Sequence, residues 1–183
     1  MIEVFEDIRG EKYQRLIAYL LNKCDTFTFC LPDFGKRAYF HHESGSFLDK
    51  YYVSSLDDGL PFQTYKTRVA PKVELVKDHL RKVFCDIKYC TNLYDREREI
   101  YVVKIDSSLN ADFFASDGLS EWRYPNFPED ICFYKNGQCF IETVTHEQCC
   151  FFYLEDDDLL KLLDNLDIEY WENTCDAVPT LEY

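Results

Sequence analysis

The chain has 183 residues, with 20 basic against 34 acidic side chains for a formal net charge of −14, and it is 46% hydrophobic and 17% aromatic. That length suits one ordinary domain, able to bury roughly 70% of the surface its unfolded form exposes. The acidic balance argues against nucleic acid as a partner, and 6 Gly, 6 Pro and no biased run argue against disorder.

The N-terminal MIEVFEDIRGEKYQRLIAYLLNK lacks the basic start, apolar stretch and cleavage site of a secretion signal, and no run of about 18 uninterrupted apolar residues occurs. A cytoplasmic protein without a membrane segment is therefore expected. Its 9 cysteines, odd in number and irregularly spaced, then read as reduced thiols. Tyr13, Leu16, Ile17, Leu20 and Leu21 form the stripe of an amphipathic helix over about residues 11–23. TFTFCLP reads as a strand ended by Pro32, and RAYFHHE and KYYVSS as further strands before the loop DDGLP.

Pro71 is expected to open a second helix over about 72–84, with Val73, Val76, Leu80 and Val83 on its buried side. Its exposed side is basic: seven Lys and Arg stand against three acids over residues 64–88. CDIKYCT and EIYVVKI read as two strands, the second central because it is nearly all β-branched or aromatic. Residues 106–130, with two prolines in SEWRYPNFPED, are expected to form a long ordered loop with a short helix near Ala111–Ala115.

Asn136-Gly137 between apolar runs is a strong hairpin signal, since a type I′ turn needs positive φ at both positions. Counting outward pairs Lys135 with Gln138, Tyr134 with Cys139, Phe133 with Phe140 and Cys132 with Ile141. Cys132, Tyr134, Cys139 and Ile141 would share one face, and Ile131, Phe133, Phe140 and Glu142 the other. QCCFFYLE then returns to complete a meander over 131–154. EDDD opens a helix over about 157–166 that carries Leu159, Leu162, Leu163 and Leu166, DIEYWE offers an edge strand, and the acidic tail after about 173 is expected to be loose.

The cysteines and His146 of the meander do not add up to a metal centre. His146 stands seven residues past Cys139, roughly 23 Å along a strand, whereas zinc ligands converge within about 2.3 Å. No metal, cofactor or catalytic residue is assigned, and no phosphate loop, dinucleotide fingerprint or serine-hydrolase elbow occurs. Two constellations remain as partner-binding candidates. Asp156, Asp157 and Asp158 belong to a region, residues 151–183, with ten acids and one lysine, a face for a basic protein partner or a second copy of the chain. Trp122, Arg123 and Tyr124 combine aromatic rings with a guanidinium, a mixture enriched at interfaces.

EKYQRLIAYLLNKCDTFTFCLP and FPEDICFYKNGQCFIETVTHE together resemble a family of uncharacterised Firmicutes proteins, some labelled stage III sporulation protein AH, over about a quarter of the chain. The resemblance implies a bacterial source and no catalytic residue. The label does not carry over, because a membrane-ring protein needs a spanning helix. The resulting expectation is a single α+β domain over 1–183, its mixed or antiparallel sheet centred on the meander and flanked by about three helices. Its expected role is an acidic interaction module, inhibitor- or immunity-like. The rival is a small thiol- or His-dependent enzyme, with His41, His42 or His146 acting in a cleft beside the 106–130 loop.

Overall fold

The computed structural model describes residues 1–32, 62–86, 98–123, 125–154, 156–175 and 177–181. The expected strands RAYFHHE and KYYVSS, and His41 and His42 with them, lie outside the described residues. Helix α1 (Gly10–Lys23) turns Tyr13, Leu16, Ile17 and Leu20 inward, the face its periodicity prescribes. Helix α3 (Asp157–Asn165) buries Leu159 and Leu163. Together with Val76, just past helix α2 (Phe62–Glu74), these residues share one core with Phe27, Phe29, Phe133, Phe140 and Phe152 of the sheet.

Among the described residues eight strands make that sheet: β1 (Ile2–Val4), β2 (Thr26–Pro32), β3 (Leu80–Asp86), β4 (Arg98–Lys104), β5 (Glu129–Lys135), β6 (Gln138–Val144), β7 (Cys149–Phe152) and β8 (Trp171–Glu172). Their order is β3-β4-β2-β5-β6-β7-β1-β8, and every pairing is antiparallel. The protein is thus an α+β domain with the β5-β6-β7 meander in mid-sheet. β4 is paired on both sides, by β3 and β2, as its apolar sequence requires.

Pro71 does not open a helix. It lies inside α2, near its C-terminal end, and a 3-10 turn (Lys77–His79) leads directly into β3. The apolar spacing from Val73 to Val83 imitates a helix. From Leu80 on, however, the ladder to Val103, Val102, Tyr101 and Ile100 of β4 captures the backbone, leaving Val83 exposed. Nonlocal pairing overrides local periodicity here.

The hairpin turn has Asn136 at φ 52 and Gly137 at φ 77, with Lys135 opposite Gln138 and Tyr134 opposite Cys139. Beyond that pair the ladder slips, and Phe133 faces Ile141 rather than Phe140. This bulge corrects the expected faces. Ile141 joins Ile131, Phe133 and Phe140 in the helix-side core, while Cys132, Tyr134 and Cys139 form a second cluster with Val102 and Leu181. Glu142 moves away from the helix side and accepts a 2.7 Å hydrogen bond from Tyr153, which packs against that second cluster. A carboxylate in the main core would have been costly.

The tail is a second correction. Leu181 donates its N–H to the Gly137 carbonyl and Pro179 accepts from Cys139 N–H, both at 2.8 Å, and Thr180 bridges Gln138. β7 pairs with β6 only from Ile141 onward, so the β6 backbone at Gln138 and Cys139 has this flank free for the tail. Leu181 is buried over the second cluster.

Candidate functional site

Asp156 is the N-cap of α3, accepting hydrogen bonds from Asp158 N–H at 2.9 Å and Leu159 N–H at 3.3 Å. Lys23, from the end of α1, reaches Asp156 at 3.1 Å and Asp158 at 2.9 Å. Burial pushes the Asp156 carboxyl up, but hydrogen bonds from Lys23 and the two backbone N–H groups outweigh it and hold it below the ordinary carboxylate value. Of the three acids, Asp157 and Asp158 are exposed, and Asp156 is committed to the helix start.

Trp122 is fully buried, so it is a core residue rather than a surface anchor. Its indole N–H donates to the Tyr13 hydroxyl at 2.9 Å, and that hydroxyl donates to the Phe114 carbonyl at 2.9 Å. Thr145 adds a 2.7 Å bond to the Trp122 carbonyl and a 3.0 Å bond to the buried Asp130 carboxylate. The loop is therefore pinned at Trp122. Arg123 is exposed beside it, and Tyr124 lies outside the described residues.

His146 is exposed and lies 3.5 Å from the Glu147 carboxylate. Cys132 and Cys139 are buried in the second cluster. Burial pushes the Cys149 thiol up to about 11 and the Cys24 thiol up to about 12, and Cys132 and Cys139 rise as well, which disfavours thiolate chemistry. Among the described residues no group of three His, Cys, Asp or Glu side chains could hold a metal ion. One further histidine escaped the sequence reading: His79 Nδ1 sits 3.6 Å from Asp106, which also accepts from Ser108 Oγ at 2.7 Å. The carboxylate occupies the middle of that group, the reverse of a hydrolase triad, where the imidazole must touch the hydroxyl.

A surface the sequence did not single out lies at the other end of the sheet. Ile2 and Val4 of β1 and Cys150 and Phe152 of β7 point into the main core, so alternate residues must face the opposite side. On that side Glu3 pairs with Phe151 on β7 and with Trp171 on β8, and Phe5 follows. The Phe5 ring lies 6.2 Å from Phe151 and 5.6 Å from Trp171, edge-on to both. Phe5 is 54% exposed and Trp171 52%. Glu3 lies between two of the rings, whereas Glu172, opposite Ile2, takes the alternate face. Only the strand register shows that these rings, from three separate stretches of chain, meet.

An open cleft of about 430 Å³ does lie beside the 106–130 loop, lined by Gln14, Ala115, Ser116, Asp117, Glu121 and Phe127. Among the described residues neither a histidine nor a cysteine lines it. Among the described residues no helix is long and apolar enough to cross a membrane. Comparison of the chain with protein-family models, with curated proteins and with solved structures finds no match.

Proposed function

We propose that this protein is an interaction module that binds a basic protein through the Phe5–Phe151–Trp171 patch. The observation that carries the reading is the mutual contact of Phe5 and Trp171, each about half exposed, on a sheet face whose reverse side is core. Single exposed apolar residues are ordinary; clustered rings, Trp above all, are what interface centres are built from. The surroundings indicate the sign of the partner. Glu3 adjoins the rings, and residues 151–183 carry ten acids against one lysine. Aromatic anchors inside an acidic rim suit a partner that brings apolar side chains flanked by Lys or Arg.

The expected acidic determinants shift accordingly. Asp156 belongs to the fold, Asp158 is paired with Lys23, and both stand with Asp157 on α3, on the helix side of the sheet, so the determinant moves to Glu3 among the rings. In the cytoplasm, the compartment that suits reduced cysteines, such a binder would act in an inhibitor- or immunity-like way, by covering a basic surface.

The test uses an amphipathic peptide of alternating Leu and Lys as probe, with Trp171 fluorescence as the readout. Saturable binding is expected, weakened about tenfold or more by Phe5→Ala with Trp171→Phe, the loss then read by calorimetry. Glu3→Gln should reduce the association rate and its salt dependence. Binding unaffected by either set of changes would sink the assignment.

A further inference from the structure

Lys72 shows what this fold supplies when it encloses a cation in rings. From the last turn of α2 it places Nζ 4.6 Å from the Phe127 ring centre, 5.6 Å from that of Trp122 and 5.9 Å from that of Phe113. Three backbone carbonyls serve its three N–H donors: Phe113 at 2.7 Å, Ala115 at 2.8 Å and Asp112 at 3.5 Å. Even so, burial pushes this ammonium down to about 8. A plain ammonium among rings thus calls for an acceptor at each N–H, and it still resists leaving water.

The Phe5–Phe151–Trp171 patch has rings and no cation: none of the cation–ring contacts among the described residues involves them. Phe151 and Trp171 pair with Glu3 from the strands on either side of β1. They therefore stand two strand spacings apart, about 9 to 10 Å, and rise from the sheet as the walls of a recess. Phe5 closes it at one end, its ring plane turned 88° from that of Phe151 and 61° from that of Trp171. A cation midway between the walls would lie about 5 Å from each, inside the roughly 6 Å reach of a cation–π contact. Glu3 is the floor. Its Oε1 already accepts a 3.2 Å bond from the Asn173 side chain, which leaves Oε2.

We propose that this recess seats the dimethylammonium head of an N-methylated lysine carried by the basic partner. The proposal rests on the interface reading above and names the side chain that enters the patch. Dimethyl-lysine keeps its positive charge and a single N–H, matched to Glu3 Oε2, and lays its N-methyl groups against the rings. An unmodified lysine would bring three donors to one oxygen, where Lys72 has three acceptors. A guanidinium needs both carboxylate oxygens for its fork. A trimethylammonium suits the rings but offers Glu3 no donor.

The experiment is calorimetry on the whole protein with Leu/Lys peptides whose central lysine is unmodified, dimethylated or trimethylated. The dimethyl peptide is expected to bind at least about tenfold tighter than the unmodified one and about threefold tighter than the trimethyl one. Phe5→Leu with Trp171→Leu keeps apolar bulk and removes the π faces, so it should bring the dimethyl peptide down to the affinity of the unmodified one. The unmodified peptide should change less and so report an intact surface. Glu3→Met should erase the preference for dimethyl over trimethyl. Equal binding of the unmodified and dimethyl peptides would overturn the proposal and leave the interface reading intact; so would trimethyl binding tightest, or a methyl preference that survives loss of the rings. Free dimethylbutylammonium matching the peptide in affinity would make the ligand a small amine and overturn the protein-borne assignment. Binding of none of the peptides would remove the proposal and the interface reading together.

Discussion

At the scale of single residues, the fold turns on polar groups taken out of water and satisfied one by one. The Trp122 indole, the Tyr13 hydroxyl and the Phe114 carbonyl form a buried chain of two bonds at 2.9 Å each. Removing one partner strands another, which typically costs about 1 to 3 kcal/mol. Trp122→Phe and Tyr13→Phe should each destabilise by about that amount in urea titrations. The double variant should cost less than the sum, because the second change removes a group already orphaned. Lys72 gives the residue scale its pH dependence. The unfolded chain holds this proton until about 10.5, whereas the folded chain releases it near 8, so between these values the unfolded state binds more protons. The Lys72 contribution to stability must therefore rise with pH across that window. Measured against Lys72→Met, which cancels the Tyr and Cys titrations common to both proteins, the wild-type stability should gain on the variant from pH 8 to pH 10. A constant difference would mean that the amine titrates normally.

At the scale of elements, what could be read from the sequence was what is local. The α1 stripe, the α3 acids and the Asn136-Gly137 turn each lie within a few residues, and each appears as expected. The bulge after Tyr134–Cys139 did not announce itself, because Phe140 and Ile141 are interchangeable as apolar residues; only the need to keep Glu142 off the helix side distinguishes the registers. The α2–β3 boundary was obscured by an apolar spacing that continues through it. The aromatic patch was hidden for a related reason: Phe5, Phe151 and Trp171 belong to three strands whose mutual register no local pattern contains. The tail shows the consequence most plainly. Its two 2.8 Å backbone bonds to the hairpin join segments some forty residues apart, and a polar, Pro-containing terminus gave no hint of them. Truncating the chain before Pro179 should uncover the Cys132–Tyr134–Cys139 cluster. With Leu181 buried there, the loss should be about 1 to 3 kcal/mol. Cys139 should then react with a thiol reagent under native conditions while Cys150, in the helix-side core, stays protected. A tail that merely rests on the surface would leave both the stability and the Cys139 rate unchanged.

At the scale of the whole molecule, the dominant fact is a net charge of −14 that the described ion pairs offset only in places. Lys23 ties α1 to the α3 cap, and Arg9 bridges Asp7 and Glu121, joining the N-terminal segment to the 119–121 turn. Exposed pairs of this kind are worth about 0 to 1 kcal/mol each, and added salt weakens them. Salt equally weakens the repulsion among uncompensated carboxylates, which accumulate over residues 151–183, in α3, β8 and the segment between them. Ten acids against one lysine in that stretch make repulsion the larger effect, so the melting temperature should climb by several degrees as NaCl is raised from about 0.01 M to about 0.15 M. Glu169→Lys, at an exposed position outside the helix, should raise the low-salt melting temperature and flatten that climb. A melting temperature that falls with salt would show the ion pairs to outweigh the repulsion. The same excess energy is what a basic partner relieves on docking beside Phe5 and Trp171. Stabilisation by the Leu/Lys peptide should therefore be greatest at low salt and shrink as the unliganded protein gains stability, since both draw on one electrostatic source.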